Sequence, residues 1–171
     1  GYRHEREYHK QIKTEYGNYV IVPEGGAGYE GMVGASEIVR GHDDFDYFAV
    51  ACGTGTTLAG MALGAQEHQH LLGFPALKID SFEDEIQNLL TAFHADEEVA
   101  KEYTSYYTIY KDYHFGGYAK FDLQLISFLR SFWKETGIQL DPVYTGKMMF
   151  GLIQEIKKSK KLIIIGVSSY N

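Results

Sequence analysis

The segment Asp46 to Gly64, DYFAVACGTGTTLAGMALG, leaves the backbone few choices. A short apolar run meets a loop of glycine and threonine, and that loop opens a stretch of small, helix-tolerant residues. Gly53 and Gly55 let the backbone approach a ligand closely. Free N–H groups at a helix start, with the helix dipole, favour a phosphate. Thr54, Thr56 and Thr57 add hydroxyl donors. The loop is not a Walker A motif, because no Gly-Lys-Ser/Thr follows the glycines. Nor is it GxGxxG, because the glycine after Gly55 is Gly60. By itself the loop reads either as a phosphate cradle or as a tight strand–helix turn with a Thr N-cap.

The flanking sequence predicts strands alternating with helices. Tyr19 to Val22 reads as a buried strand, and 23–28 as a turn. A small-residue helix from Tyr29 to about Arg40 follows, with Gly41 as its C-cap. Asp46 to Cys52 and Leu71 to Phe74 read as strands, and Leu162 to Ile165 as a closing strand. Ser81-Phe82-Glu83-Asp84 resembles a capping box. Helical stripes run through Phe82, Ile86, Leu89, Leu90 and Phe93, through Phe121, Leu125, Phe128, Leu129 and Phe132, and through Met149, Leu152, Ile153 and Ile156. Tyr103 to Phe115 has no clean period and reads as loop or short strand. The pattern predicts one α/β domain over 1–171, a mainly parallel sheet with helices on both faces. Ligands in such sheets sit at the carboxyl ends of strands, where both Gly-rich turns fall.

The net charge of −7 argues against a broad nucleic-acid surface. No apolar run reaches membrane-spanning length. The N-terminus, GYRHEREYHK, is not a signal peptide, and with the single cysteine this points to a cytoplasmic protein. Cys52, at the end of an apolar strand, reads as a buried small hydrophobe. His68-Gln69-His70 and His42-Asp43-Asp44 lack further ligands at zinc-site spacing and read as solvated surface, so no metal site is expected. The basic run Lys157 to Lys161 suits the C-terminus of a helix.

Four segments carry a resemblance. Val22-Pro23-Glu24-Gly25-Gly26 is similar to an IPEGG turn, and Gly53 to Gly60 to a phosphate loop. Gly116-Gly117-Tyr118 falls where an active-site tyrosine is carried, and Leu140 to Lys147 matches an LDPVYTGK signature. Together they resemble the 1-aminocyclopropane-1-carboxylate deaminase and D-cysteine desulfhydrase family, pyridoxal phosphate enzymes of the tryptophan-synthase-beta fold type. The resemblance implies the larger, cofactor-binding domain of such an enzyme. It implies pyridoxal 5'-phosphate as cofactor, with its phosphate on Gly53, Thr54, Gly55, Thr56 and Thr57. It places Tyr118 and Tyr144 beside the substrate as catalytic residues. A tyrosine near a cationic cofactor or amine has its phenol pKa lowered. Thr145 stands where the deaminases carry Glu and desulfhydrase-like members carry Thr, beside the cofactor ring. That tilts the expected reaction towards ammonia-releasing α,β-elimination from D-cysteine. A small amino-acid substrate and a homodimer of the complete enzyme are implied.

The chain departs from the family pattern at both ends. Nothing in these residues matches the GNKxRKLE-like segment that carries the Schiff-base lysine, and the small domain after it is expected to be absent as well. Val167 falls where an IHTGG-like loop would supply a threonine. Lys147 occupies a family lysine position that is not the Schiff-base residue. The expectation is therefore the C-terminal part of an enzyme, inactive alone and prone to associate. The alternatives are a non-catalytic phosphate-binding module, or a structural fragment needing its N-terminal half.

Overall fold

The computed structural model describes residues 6–20 and 22–159. In chain order it contains α1 (Arg6–Tyr16), α2 (Tyr29–Ser36), β1 (Tyr47–Cys52), α3 (Thr56–Gly64), β2 (His70–Pro75), α4 (Phe82–His94), α5 (Glu97–Glu102), β3 (Tyr107–Ile109), α6 (Leu123–Thr136) and α7 (Thr145–Ser159). The three strands pair in parallel in the order β1-β2-β3, with Tyr47 opposite His70 and Leu71 opposite Tyr107.

Strand periodicity sorts the core into two layers. Val50, Cys52 and Leu71 join Leu58, Met61, Phe82, Ile86 and Leu90 on the face covered by α2, α3 and α4. Leu72 and Phe74 meet Met149 and Leu152 on the other, where Phe128 and Phe132 of α6 add to α7. Right-handed crossovers winding one way along a sheet put their helices on one face, leaving the opposite face to later helices. Gly73 makes the first layer possible, since a Cβ there would stand 2.8 Å from Leu58 Cδ2 and 2.9 Å from Ile109 Cδ1. The expected parallel sheet with helices on both faces is what forms.

Local expectations fared unevenly. The segment read as a strand at Tyr19 to Val22 shows none among its described residues, and Val20 and Val22 are 90% and 77% exposed. Ile21 lies outside the described residues, as do the expected strand Leu162 to Ile165 and Val167. Helix α2 stops at Ser36, short of Gly41, although Gly41 does take a positive φ of 78°. Ser81 precedes α4 but its side chain caps nothing. Phe121 lies outside α6 and is exposed. The Tyr103–Phe115 segment holds β3 between two 3-10 turns. No helix among the described residues is long and apolar enough to cross a membrane.

Candidate active site

Strand β1 ends at Cys52, and the chain turns through Gly53, Thr54 and Gly55 into α3. Gly55 is the N-cap at φ 88°, a conformation that costs glycine little. The bland reading of a threonine cap therefore does not hold, since no side chain caps α3. The first-turn N–H groups have no intrahelical acceptor. The Thr54 and Thr56 hydroxyls lie 3.0 Å apart and share a hydrogen bond.

The Pro23–Gly26 turn presses on this loop. A Cβ on Gly25 would stand 2.7 Å from Thr54 Cγ2 and 2.8 Å from Thr54 Oγ1. The turn closes with Gly26 N–H donating to the Pro23 carbonyl (3.0 Å) and Ala27 N–H to that of Glu24 (3.2 Å).

Tyr144 also reaches the loop. A Cβ on Gly53 would lie 3.4 Å from both Cε1 and the hydroxyl of Tyr144, so the ring stands at van der Waals distance from this end of the loop. The Asp141 carboxylate places this residue by accepting from the backbone N–H groups of Val143 (2.8 Å), Tyr144 (2.6 Å) and Thr145 (2.9 Å). Tyr118 stands next to Tyr144, ring centroids 6.0 Å apart and planes at 64°. Together with Leu77, Ile79, Phe82 and Leu89, these segments line a cleft of about 780 Å³. That volume suits a small-molecule site.

The cleft thus brings together Gly53, Thr54, Gly55, Thr56, Thr57, Tyr118 and Tyr144. Thr145 does not line it. Its hydroxyl donates to Asp141 and accepts from the Asp141 N–H (3.0 Å). Glu24, Gly25 and Glu85 also line the cleft and were not foreseen as site residues. Glu24 and Gly25 had a signal, the PEGG turn itself. Glu85 had none, because an acidic residue in a helix's first turn has the same pattern wherever it points.

Electrostatics refine the roles. Burial pushes the Tyr144 phenol above its ordinary value, and the Tyr118 phenol and the carboxylates of Asp141 and Glu24 add to this. The lowering expected for Tyr144 is thus not a property of these residues alone. It requires a cation in the cleft. Burial also pushes Asp141 up, but the Thr145 hydroxyl and the N–H groups of Tyr144, Thr145 and Val143 outweigh it and hold the carboxyl below its usual range. The Cys52 thiol, buried at the strand end, is pushed up to about 12, which fits a packing role. Among the described residues no lysine lines the cleft. Lys147, 1% exposed, gives its ammonium to the carbonyls of Gly117 (2.7 Å) and Ala76 (3.4 Å). The histidines are engaged separately, His68 Nε2 with the Asp43 carbonyl (3.1 Å) and His70 Nε2 with Thr108 Oγ1 (2.8 Å). No group of three potential metal ligands occurs among the described residues.

No family model matches the chain. It is 31% identical over 166 residues to the mitochondrial bifunctional D-cysteine desulfhydrase/1-aminocyclopropane-1-carboxylate deaminase of Arabidopsis thaliana, covering 89% of this chain and 40% of that protein. It is 29% identical to a putative 1-aminocyclopropane-1-carboxylate deaminase of Pyrococcus horikoshii (92% and 50% covered). A D-cysteine desulfhydrase of Serratia proteamaculans is 28% identical (82% and 46%). The crystal structure of an ACC deaminase homologue superposes with a TM-score of 0.70 at 28% identity, over 90% of this chain and 50% of that one. The chain is thus similar to proteins named 1-aminocyclopropane-1-carboxylate deaminase and D-cysteine desulfhydrase. It spans 40 to 50% of the length of these curated relatives. The deaminase and desulfhydrase names both occur among relatives of similar identity, so similarity alone does not separate the two activities.

Proposed function

We propose that this chain supplies the cofactor-phosphate cup and the tyrosine pair of a pyridoxal phosphate-dependent lyase or deaminase acting on small amino acids, of the D-cysteine desulfhydrase or aminocyclopropane-carboxylate deaminase type. One observation carries the proposal. Tyr144 and the uncapped start of α3 line the same cleft, with the Tyr144 ring against Gly53, so a proton-bearing phenol and a row of free N–H groups face one space. The residues suit the cofactor. The N–H groups at the start of α3 and the hydroxyls of Thr54, Thr56 and Thr57 suit a phosphate. The carboxylates of Glu24 and Glu85 suit an amino group.

When bound, pyridoxal phosphate supplies an electron sink for bond breaking at the substrate's Cα. The chain's own residues then divide the remaining work. The phosphate loop anchors, and the PEGG turn holds Thr54 in place. Tyr144, a phenol that burial pushes further above its ordinary value, is a hydroxyl donor until a nearby cation lowers that value. Tyr118 stands beside it to pass or receive the proton. Thr145 brings no carboxylate to its position, but its hydroxyl is turned to Asp141 and it does not line the cleft, so the residue pattern and not the geometry favours the desulfhydrase side, in which D-cysteine and water give sulfide, ammonia and pyruvate.

The test reads binding, not turnover. Inorganic phosphate should displace pyridoxal phosphate from the purified chain, followed by the visible absorbance of the bound form. Thr56→Val should weaken both ligands by about tenfold, the effect of one charge-assisted hydrogen bond. A chain that binds neither, or whose pyridoxal phosphate binding ignores phosphate, would sink the proposal.

A further inference from the structure

A fully buried lysine is costly unless its ammonium is paired or hydrogen-bonded. Lys147 lies in the first turn of α7, three residues after Tyr144, and no carboxylate bonds to it. Its partners are two main-chain carbonyls from different parts of the chain. Ala76 follows β2, and Gly117 immediately precedes Tyr118.

The turn that receives this ammonium is strained. Phe115, Gly116, Gly117 and Ala119 all take positive φ, at 53°, 92°, 116° and 54°. Non-glycine residues persist there only where their surroundings impose it. The local bonds are few: Gly117 N–H to the His114 carbonyl (3.0 Å), Gly116 N–H to His114 Nδ1 (2.8 Å) and Lys120 N–H to the Gly117 carbonyl (3.1 Å). The Gly117 carbonyl therefore accepts twice, once from its own turn and once from Lys147. The second bond is the shorter and comes from the helix that Tyr144 immediately precedes. A methionine of similar length would fill the same space but would leave the Ala76 and Gly117 carbonyls without this donor, so what sets lysine apart here is its hydrogen bonds. Packing alone therefore does not require a lysine here.

We infer that Lys147 is a positioning residue, whose ammonium ties the Gly116–Gly117 turn to α7 and so fixes Tyr118 opposite Tyr144. Its bearing on chemistry rests on the active-site reading above, but its geometry can be tested without a ligand. The experiment places 3-fluorotyrosine at position 118 of the full chain and compares Lys147→Met and Lys147→Gln with the unsubstituted protein. Thermal unfolding and inorganic phosphate binding are followed on the same samples.

In Lys147→Met the unfolding midpoint should fall modestly, from the two carbonyls left without their donor, and phosphate affinity should stay unchanged. Tyr118 is already 57% exposed, so its fluorine resonance should shift as the ring leaves its place beside Tyr144 and narrow towards that of a freely rotating tyrosine. Exchange of the Lys120 amide should accelerate about tenfold, as for loss of one charge-assisted hydrogen bond. Lys147→Gln, with a shorter neutral donor, should fall between. A folded Lys147→Met with unchanged resonance and exchange overturns the inference. Should that variant not fold, an unchanged Lys147→Gln overturns it equally. If neither folds, the ammonium supports the fold at large and the inference fails. Failure of the unsubstituted chain to bind phosphate would instead count against the active-site reading, leaving the resonance result to stand by itself.

Discussion

At Gly55 two separate constraints meet. Its φ is 88°, and a Cβ there would stand 2.4 Å from Ile86 Cδ1. A left-handed non-glycine residue and an overpacked contact each destabilise by roughly 1–3 kcal/mol. The Ile86 methyl can yield in part, so Gly55→Ala should lower stability by about 2 kcal/mol in urea unfolding and weaken phosphate binding. An unchanged urea midpoint would show that the loop relaxes freely. This glycine was legible in the sequence because the need for it is local, a turn between a strand and a helix. Thr145 shows the opposite. The family pattern placed it at the cofactor ring, while its hydroxyl bonds to Asp141 four residues earlier. No pattern of residue types shows which way a hydroxyl turns when a carboxylate competes for it. Lys147 was passed over for a similar reason: burial and two distant carbonyls give it its meaning, and neither is visible in a motif.

Elements were legible where their periodicity was long. The stripes through Phe82, Ile86 and Leu90 and through Met149 and Leu152 became the buried faces of α4 and α7. Four β-branched and aromatic residues at Tyr19 to Val22 were too few to decide, and a short apolar run forms a strand only where a partner pairs with it. Helix starts were read by residue type, and geometry chose differently. Ser81 leaves α4 uncapped, and the acidic first turn of Glu83, Asp84 and Glu85 suits the dipole instead. Asp141 does what Ser81 does not, holding three N–H groups ahead of α7 and setting Tyr144. Asp141→Ala should cost about 1–2 kcal/mol at neutral pH. The pH dependence follows from its lowered pKa. The contribution is fully present above the ordinary carboxyl value of 3.8 and is lost as pH falls through the lower folded value. The gap in urea midpoint between the two proteins should therefore be constant from pH 7 to pH 5 and begin to close only below about pH 4. A gap that persisted at low pH would show that the bonds survive protonation and that charge contributes little.

On the scale of the whole molecule, net charge and exposed apolar surface oppose each other. The chain carries a formal charge of −7, which repels copies of itself. It also shows Leu123 at 87% and Trp133 at 59% exposure on α6, which packs on α7 through its other side, with Phe121 exposed just ahead of the helix. Apolar surface of this kind drives association when nothing holds copies apart. The two effects respond oppositely to salt. Repulsion reaches about 30 Å at 0.01 M ionic strength and about 3 Å at 1 M, whereas burial of apolar surface does not weaken as salt is added. Association of the purified chain should therefore increase with sodium chloride. The sedimentation coefficient should match a 19.4 kDa monomer at low salt and rise with protein concentration at high salt. Leu123→Gln with Trp133→Gln should remove that rise without changing the fold, since neither side chain is in the core. A monomer at every salt concentration would mean that the apolar residues are too scattered to act together. Association that weakened with salt would assign the contact to charged groups and leave α6 without a part in it.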